Sequence, residues 1–559
     1  MRKHRLALVA ALFTLIAAGL FAWRFTADQT PAYVSEAFGA NPREVLQKEL
    51  ASPGSVWAEA MRNPADLARF KDAPAYRIDL DYDAPARRLK GKEAILYTNT
   101  TDSQVEALYL STGARAWGDA NLGDDNFSLT GLRVDGHNRP YTQKDLYGQV
   151  HLQRPVKPGE SIVIEFSFTA HIPSAKPPQG TWTMDPKEVP PTFGGNGNLA
   201  DGLTEAIPRL TLDVAPLLDT AAAMTAAPTW SLVDLRIVLP PRWRVISSGT
   251  RVEEVSIPDR GTTSRIVGAS YSFYLFATSR MGEVRGEKNG VTIGVNYPAF
   301  GEAVAREALE DAARFIELYD QMLGAYPFTE LEIMPIVPGQ TFAGMNRSGL
   351  VFIKADFFME QETVLPAAMT DPQLRRLLGA DPYTIRVWLL SHEIAHAWWG
   401  DLAWPDHAQS PWWLETMTEA TALAGLEKAF GAEVANRQRE RDTFSFRVGR
   451  AQGLPDHAYG RPPTEQERNI QYLSMTYLRP ALFYDKVRHQ VGDEAFFAAM
   501  RRYLDKGRFT VRSDRGPVEE LMALRGVEGL WQRWMLETNG DEDLGALTPE
   551  QARQLGIVK

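Results

Sequence analysis

From residue 76 the chain alternates. Tyr76-Arg77-Ile78-Asp79-Leu80-Asp81-Tyr82 sets apolar against polar side chains in turn, and so does the latter half of 161–168, a period of two that predicts strands with one buried face. Further strands are expected at 93–98, 107–111, 233–239 and 270–276, with Pro and Gly between them. Together they predict a β-rich domain over 76–285. Between Pro173 and Pro228 the sequence is loose and rich in Pro, Gly and Ala, which suits a long surface loop or a substrate-facing lid. Past Gly290 the period lengthens: Val304, Ala308, Ala312, Phe315, Tyr319 and Leu323 fall on one helical face, and Gly324 supplies a stop. A strand at 331–337 follows, then a stretch over 341–353 that reads either as an ordinary strand or as an edge strand whose glycines would let an extended peptide approach its backbone. Helices are predicted at 384–399 and 412–430, and several more between 475 and 536. The aromatic group Trp398, Trp399, Trp404, Trp412 and Trp413 reads as packing between the first two of these helices. The pattern as a whole predicts an α+β multidomain chain, β-rich first and mostly helical over 286–559.

Before residue 76 the signals differ. Arg2, Lys3 and Arg5 precede an uncharged apolar run over 6–23, closed by Arg24. As a helix this run would span about 27 Å, close to the hydrocarbon core of a bilayer. It is longer than a usual cleaved signal and lacks a well-placed small-x-small site, so residues 1–25 read as a signal anchor or signal peptide, the uncleaved anchor preferred. The basic flank is then expected to stay in the cytoplasm and the rest to be exported, periplasmic or extracellular and attached to the membrane by this segment. Residues 26–75, with Pro31, Pro42, Pro53 and Pro64, read as a stalk or lead-in.

Composition narrows the chemistry. The net charge of -10 argues against nucleic acid as a partner, and no nucleic-acid motif is present. With no cysteine there is no disulfide framework, thiolate metal site or thiol nucleophile, so metal ligands must be histidines and carboxylates. His392-Glu393-Ile394-Ala395-His396 supplies them. Two histidines four apart lie on one helix face and can reach one ion, while Glu393 points elsewhere and suits a general base. Glu415, nineteen residues after His396, could be a third ligand from a second helix and leave a position open for water and substrate. The set predicts a catalytic zinc site with one Zn2+ per chain. Glu419, one turn after Glu415, could orient a ligand from behind.

His392-Glu393-Ile394-Ala395-His396-Ala397-Trp398-Trp399-Gly400-Asp401 with Trp413-Leu414-Glu415 resembles the gluzincin family typified by aminopeptidase N and the leukotriene-hydrolase aminopeptidase, whose pattern is H-E-x-x-H-x-W-x-G and a ligand glutamate after eighteen intervening residues. The resemblance runs from about residue 76 to 544 and includes Tyr326-Pro327-Phe328. It implies a saddle-like N-terminal β domain, a thermolysin-like catalytic domain and peptide hydrolysis. The large helical C-terminal domain of many members is not expected, so the cleft would be open or covered by another chain or an oligomer partner. The family's catalytic tyrosine corresponds to Tyr477, which opens Tyr477-Leu478-Arg479-Pro480 where the family has Y-x-K-G. Tyr472 matches a second tyrosine found in some members. The family's G-A-M-E-N segment falls on Ala343, Gly344, Met345, Asn346 and Arg347, making Gly344, Met345 and Asn346 the expected substrate-binding positions. Asn346 stands where the family's amine-binding glutamate does, and an amide provides no charge for an ammonium.

The resemblance therefore implies an aminopeptidase-like zinc peptidase, with two other readings beside it. One is a peptidase acting internally or on blocked N-termini; the other is a decayed, zinc-retaining binding or scaffold protein.

Overall fold

The computed structural model describes residues 42–557 apart from 53, 113–125, 145, 173–198, 213–228, 258–260, 272, 300, 337–342, 356–381 and 468. The chain is α+β, with a β-rich N-terminal part and a mostly helical C-terminal part. The apolar segment 6–23 and most of the loose 173–228 insert lie outside the described residues. Among the described residues, no helix is long and apolar enough to cross a membrane.

The alternating segments build an eight-stranded sheet. Its order is Thr250–Ile257, Gly261–Ser270, Ser231–Leu239, Ala75–Asp83, Arg88–Thr98, Ser161–His171, Phe127–Val134 and His137–Asn138. One face carries Ile78, Leu80, Ile95, Ile164, Leu235 and Ile237 into a core shared with two smaller sheets. The expected strand at 270–276 is instead two strand ends. Gly261–Ser270 belongs to the large sheet and Leu275–Thr278 pairs with Arg244–Ser247 in a small one, so the chain changes sheets within this stretch.

The C-terminal part is organised on a five-stranded sheet of β1 (Gly282–Lys288), β2 (Val291–Tyr297), β3 (Glu330–Ile336), β4 (Gly344–Arg347) and β5 (Leu350–Lys354), in the order β1-β2-β3-β5-β4. The short β4 is an edge strand, antiparallel to β5 across a tight turn at Ser348-Gly349. Helix α1 (Glu302–Leu323) follows β2, buries Val304, Ala308, Ala312, Phe315 and Tyr319, and ends at Gly324. Helices α2 (Pro382–Ala395) and α3 (Trp413–Phe430) pack on each other and on α1. α3 is buried nearly all round, as expected of a helix crossing the middle of a domain. The expected helix over 384–399 stops four residues early. There Ala397 N–H reaches back three residues to Ile394 O (3.1 Å), the chain turns, and Trp398 and Trp399 swing inward.

The lead-in reading needs correction for its described part. Residues 42–70 form one α-helix and two 3-10 helices, and Trp57, Met61, Leu67 and Phe70 are buried in the same core as α1 and α2. Met61 bridges Phe328, Arg62 pairs with Asp320 (2.8 Å), and Asp66 accepts two bonds from Arg508. The prolines suggested a stalk, but two of them only start or interrupt short helices, and the apolar residues between them have a core to enter.

Candidate metal centre

His392 lies in the last turn of α2, His396 directly after its end and Glu415 in the first turn of α3, so the packing of two helices brings three side chains to one point. Glu415 Oε2 lies 3.4 Å from His392 Nε2 and 3.3 Å from His396 Nε2, and the three ligand atoms are all within 4.8 Å of one another. Ligand atoms about 2.0–2.1 Å from a tetrahedral zinc stand about 3.3–3.4 Å apart. The observed edges match that tetrahedron, and the residue types are those zinc takes. Glu415 Oε2 is buried and has no hydrogen-bond donor of its own, as a carboxylate reserved for a cation would be.

The histidine tautomers are set from behind. His392 Nδ1–H donates to Glu419 Oε2 (2.8 Å), and His396 Nδ1–H is shared between Trp399 O (3.0 Å) and Thr418 Oγ1 (3.1 Å). Each ring therefore turns the lone pair of Nε2 toward Glu415. Glu419, fully buried, is itself held by Trp388 Nε1 (3.0 Å to each oxygen) and by Gln438 Nε2 (3.3 Å). Trp388 and Gln438 were missed in the sequence. Trp388 lies one turn before His392 and could have been found by helical spacing, whereas Gln438 comes from α4 (Ala432–Ala451) and carries no local signal. Burial alone would lower the pKa of both histidines, yet Glu415 and, for His392, Glu419 raise them, and the facing imidazoles hold Glu415 well below the usual carboxylate range. The field at this point favours positive charge, hence a cation.

Glu393 sits beside the ligands on its own face of α2. Burial raises its carboxyl above the ordinary value, with the two imidazoles partly opposing, and its Oε2 has no partner. Its Oε1 stands against Gly344, where a Cβ would lie only 2.4 Å away. Tyr477 lies over the ligands from the other side: its ring stacks on His392 at 5.5 Å and 21°, and its hydroxyl bonds Glu415. Burial and the Glu415 charge raise its pKa well above 10, so the phenol keeps its proton. Thr416 Oγ1 donates to Thr476 O (2.8 Å), which ties the residue after the ligand to the one before the tyrosine. Arg479, which replaces the family's lysine, is fully buried, donates to Glu537 O and Arg533 O (2.9 Å each), and anchors the start of α5 (Arg479–Val491).

Three expected positions are placed differently. Tyr472 is away from the ligands, in a buried aromatic group with His457 (5.1 Å) and Tyr459 (5.3 Å), because the short helix Ile470–Met475 turns it inward. Asn346 is on the strand face toward α2, yet its amide is already engaged. Nδ2 donates to Glu393 O (3.0 Å) and Oδ1 accepts from Ser348 N (3.1 Å). Met345 points to the opposite face, against a core that includes Ile246, Phe276 and Phe352. Arg347, on Met345's face, is half-buried near Tyr274 and donates to Asn346 O (2.9 Å). Glu427, Asp485 and His489 form a second grouping with metal-like spacing, but Arg439 and Arg488 already fill it with positive charge.

The site so built has the parts that the sequence resemblance implies: an H-E-x-x-H helix, a glutamate from the next helix, and a tyrosine above them. Residues 307–534 match the peptidase family M1 domain, and over that stretch the chain is similar to that family. It is 25% identical over 284 residues to an aminopeptidase N of Streptomyces lividans, a match covering 47% of this chain and 30% of that protein. It is also 25% identical over 189 residues to a membrane alanyl aminopeptidase of Manduca sexta, covering 30% of this chain and 19% of the other. The matches thus span less than a third of either relative. In fold it is similar to the M1 zinc metallopeptidase of Deinococcus radiodurans, with a TM-score of 0.56 and 16% identity, covering 86% of this chain and 96% of the other. A mutant of that protein bound to a Tyr-Ser-Ala substrate superposes with a TM-score of 0.53 at 15% identity.

Proposed function

We propose that the chain is a zinc-dependent peptidase holding one zinc ion through His392, His396 and Glu415. The observation that carries this reading is the meeting of three ligand atoms, Glu415 Oε2 standing at tetrahedral separations from both imidazole nitrogens, with an unpartnered carboxylate oxygen on one side and a protonated phenol on the other. A zinc ion held there supplies Lewis acidity to the scissile carbonyl and makes water more acidic. Glu393 takes the proton as water attacks and returns it to the leaving amine; its raised pKa keeps it a competent acid for that return. Tyr477 O–H donates to the oxyanion that develops on the carbonyl carbon's oxygen. Glu419 and the Trp399 carbonyl keep both imidazoles in the liganding tautomer throughout.

The peptide is read as lying along the edge strand β4, where Gly344 leaves room beside Glu393. A second reading of specificity is favoured by Asn346. It carries no charge and both ends of its amide are engaged, which supports hydrolysis that does not require a free α-amine at this strand. The exported location and attachment through residues 6–23 remain part of this proposal, on the basic flank and apolar run alone.

Matched peptides with free and acetylated N-termini, given to zinc-loaded protein from about residue 30, test both points. Turnover that a chelator abolishes and zinc restores supports the peptidase reading. Equal rates on the two peptides support the second specificity reading, and strong preference for the free amine removes it. Zinc binding without turnover of either peptide points instead to a scaffold that has kept its metal.

A further inference from the structure

We propose that Asn346 is a positioning residue for the general base, tying Glu393 to the edge strand, and is not a receptor for the substrate's amine. The inference rests on Glu393 being the base. Its geometric ground is independent of any bound metal.

The amide orientation is fixed by its partners, because a backbone carbonyl can only accept and a backbone N–H can only donate. Nδ2–H goes to Glu393 O at 3.0 Å, and Oδ1 takes Ser348 N–H at 3.1 Å. Glu393 O is one of the four carbonyls that a helix end leaves without an intrahelical partner. Here the chain has already tightened, with Ala397 N–H bonded to Ile394 O, so the Asn346 amide supplies the donor that α2 does not. The side chain is buried, 5% exposed.

The strand touches the base at a second point. Side chains two apart on a strand share a face, so Gly344 and Asn346 both look toward α2. A Cβ at Gly344 would stand 2.4 Å from Glu393 Oε1. The backbone of Glu393 is thus held by residue 346, and its carboxylate lies against residue 344. Beyond the strand, Ser348 accepts a left-handed φ of 43° and donates its hydroxyl to Asp401 Oδ1 at 2.6 Å. The hairpin is therefore fastened both to the metal helix and to the loop that follows it. Such fastening fixes a base to well within the distance at which rate is lost.

Asn346→Asp separates the two roles, because they predict opposite signs. The substitution is isosteric, keeps an acceptor for Ser348, removes the donor to Glu393 O, and adds a negative charge. Positioning predicts that kcat falls about 10- to 100-fold, with KM for a free-amine peptide and the free-to-acetylated ratio unchanged within about twofold. An amine receptor predicts a lower KM and a higher ratio, and that outcome overturns the proposal. Asn346→Ser, neutral and too short to reach Glu393 O, guards against misfolding or charge effects in the aspartate. It is expected to lose kcat in the same way, with zinc content and melting temperature measured alongside, and an unchanged kcat in this variant also overturns the proposal. If the wild-type protein hydrolyses neither peptide, the peptidase reading fails separately. Hydrogen exchange over 392–400 then decides the tie itself: faster exchange in both variants supports it, and unchanged exchange overturns it.

Discussion

Two buried glutamates in this chain look alike by every local measure and differ in what surrounds them. Glu93 lies in the N-terminal sheet with Ile78 and Phe166 as its cross-strand neighbours, and neither of its oxygens has a partner. Glu393 lies at the end of α2, and its Oε2 likewise has none. Burial raises the pKa of both, opposed by Arg209 for Glu93 and by His392 and His396 for Glu393. Burial and a perturbed pKa therefore do not identify a working carboxylate. What sets the two apart here is convergence: Glu393 lies near two imidazoles, Glu415 and a phenol, and Glu93 faces a hydrocarbon core.

That contrast can be broken outright by exchanging each acid for its amide. Glu393→Gln is expected to lower kcat by about 10²- to 10⁴-fold at unchanged zinc content, the range of a lost general base. Glu93→Gln is expected to leave kcat alone, and a comparable loss there would mean that burial, not convergence, was the operative feature. Tyr477→Phe removes one oxyanion donor and should lower kcat by about 10²- to 10³-fold with zinc still bound, as read by steady-state rates and metal analysis. Glu419→Gln probes the shell behind the ligands; zinc affinity measured by competition with a chelator should weaken by about 10- to 100-fold.

The smallest effect is in stability, and it sharpens the Glu93 side. Glu93 is held well above its ordinary 4.5, so the folded chain keeps this proton where the unfolded chain has released it. Its contribution is then fully present below about pH 4.5 and is lost as pH rises toward the folded value, with a slope of at most about 1.4 kcal/mol per pH unit. Melting temperature followed against pH should fall less steeply on the alkaline side in Glu93→Gln than in the parent. Equal slopes would show that Glu93 is ionised in the folded chain.

The sequence by itself determined what helical and strand periods transmit. Four-residue spacing puts His392 and His396 on one face wherever their helix goes, and the same period places Glu419 one turn from Glu415. The alternation around residue 76 announced the β-rich part because a half-buried strand needs it. Tyr477 was legible only through resemblance, since no local period links it to residue 392. Tertiary structure alone decided the rest, for one physical reason: each remaining feature is a contact between elements far apart in the chain. The Asn346 amide meets a carbonyl 47 residues away, Ser348 meets a carboxylate 53 residues away, and Arg508 reaches Asp66 across 442. Proline-rich residues before 76 suggested a stalk until a core was present to receive Trp57 and Phe70. Spacing fixes which side chains can meet within one element, and only packing fixes which ones meet across two.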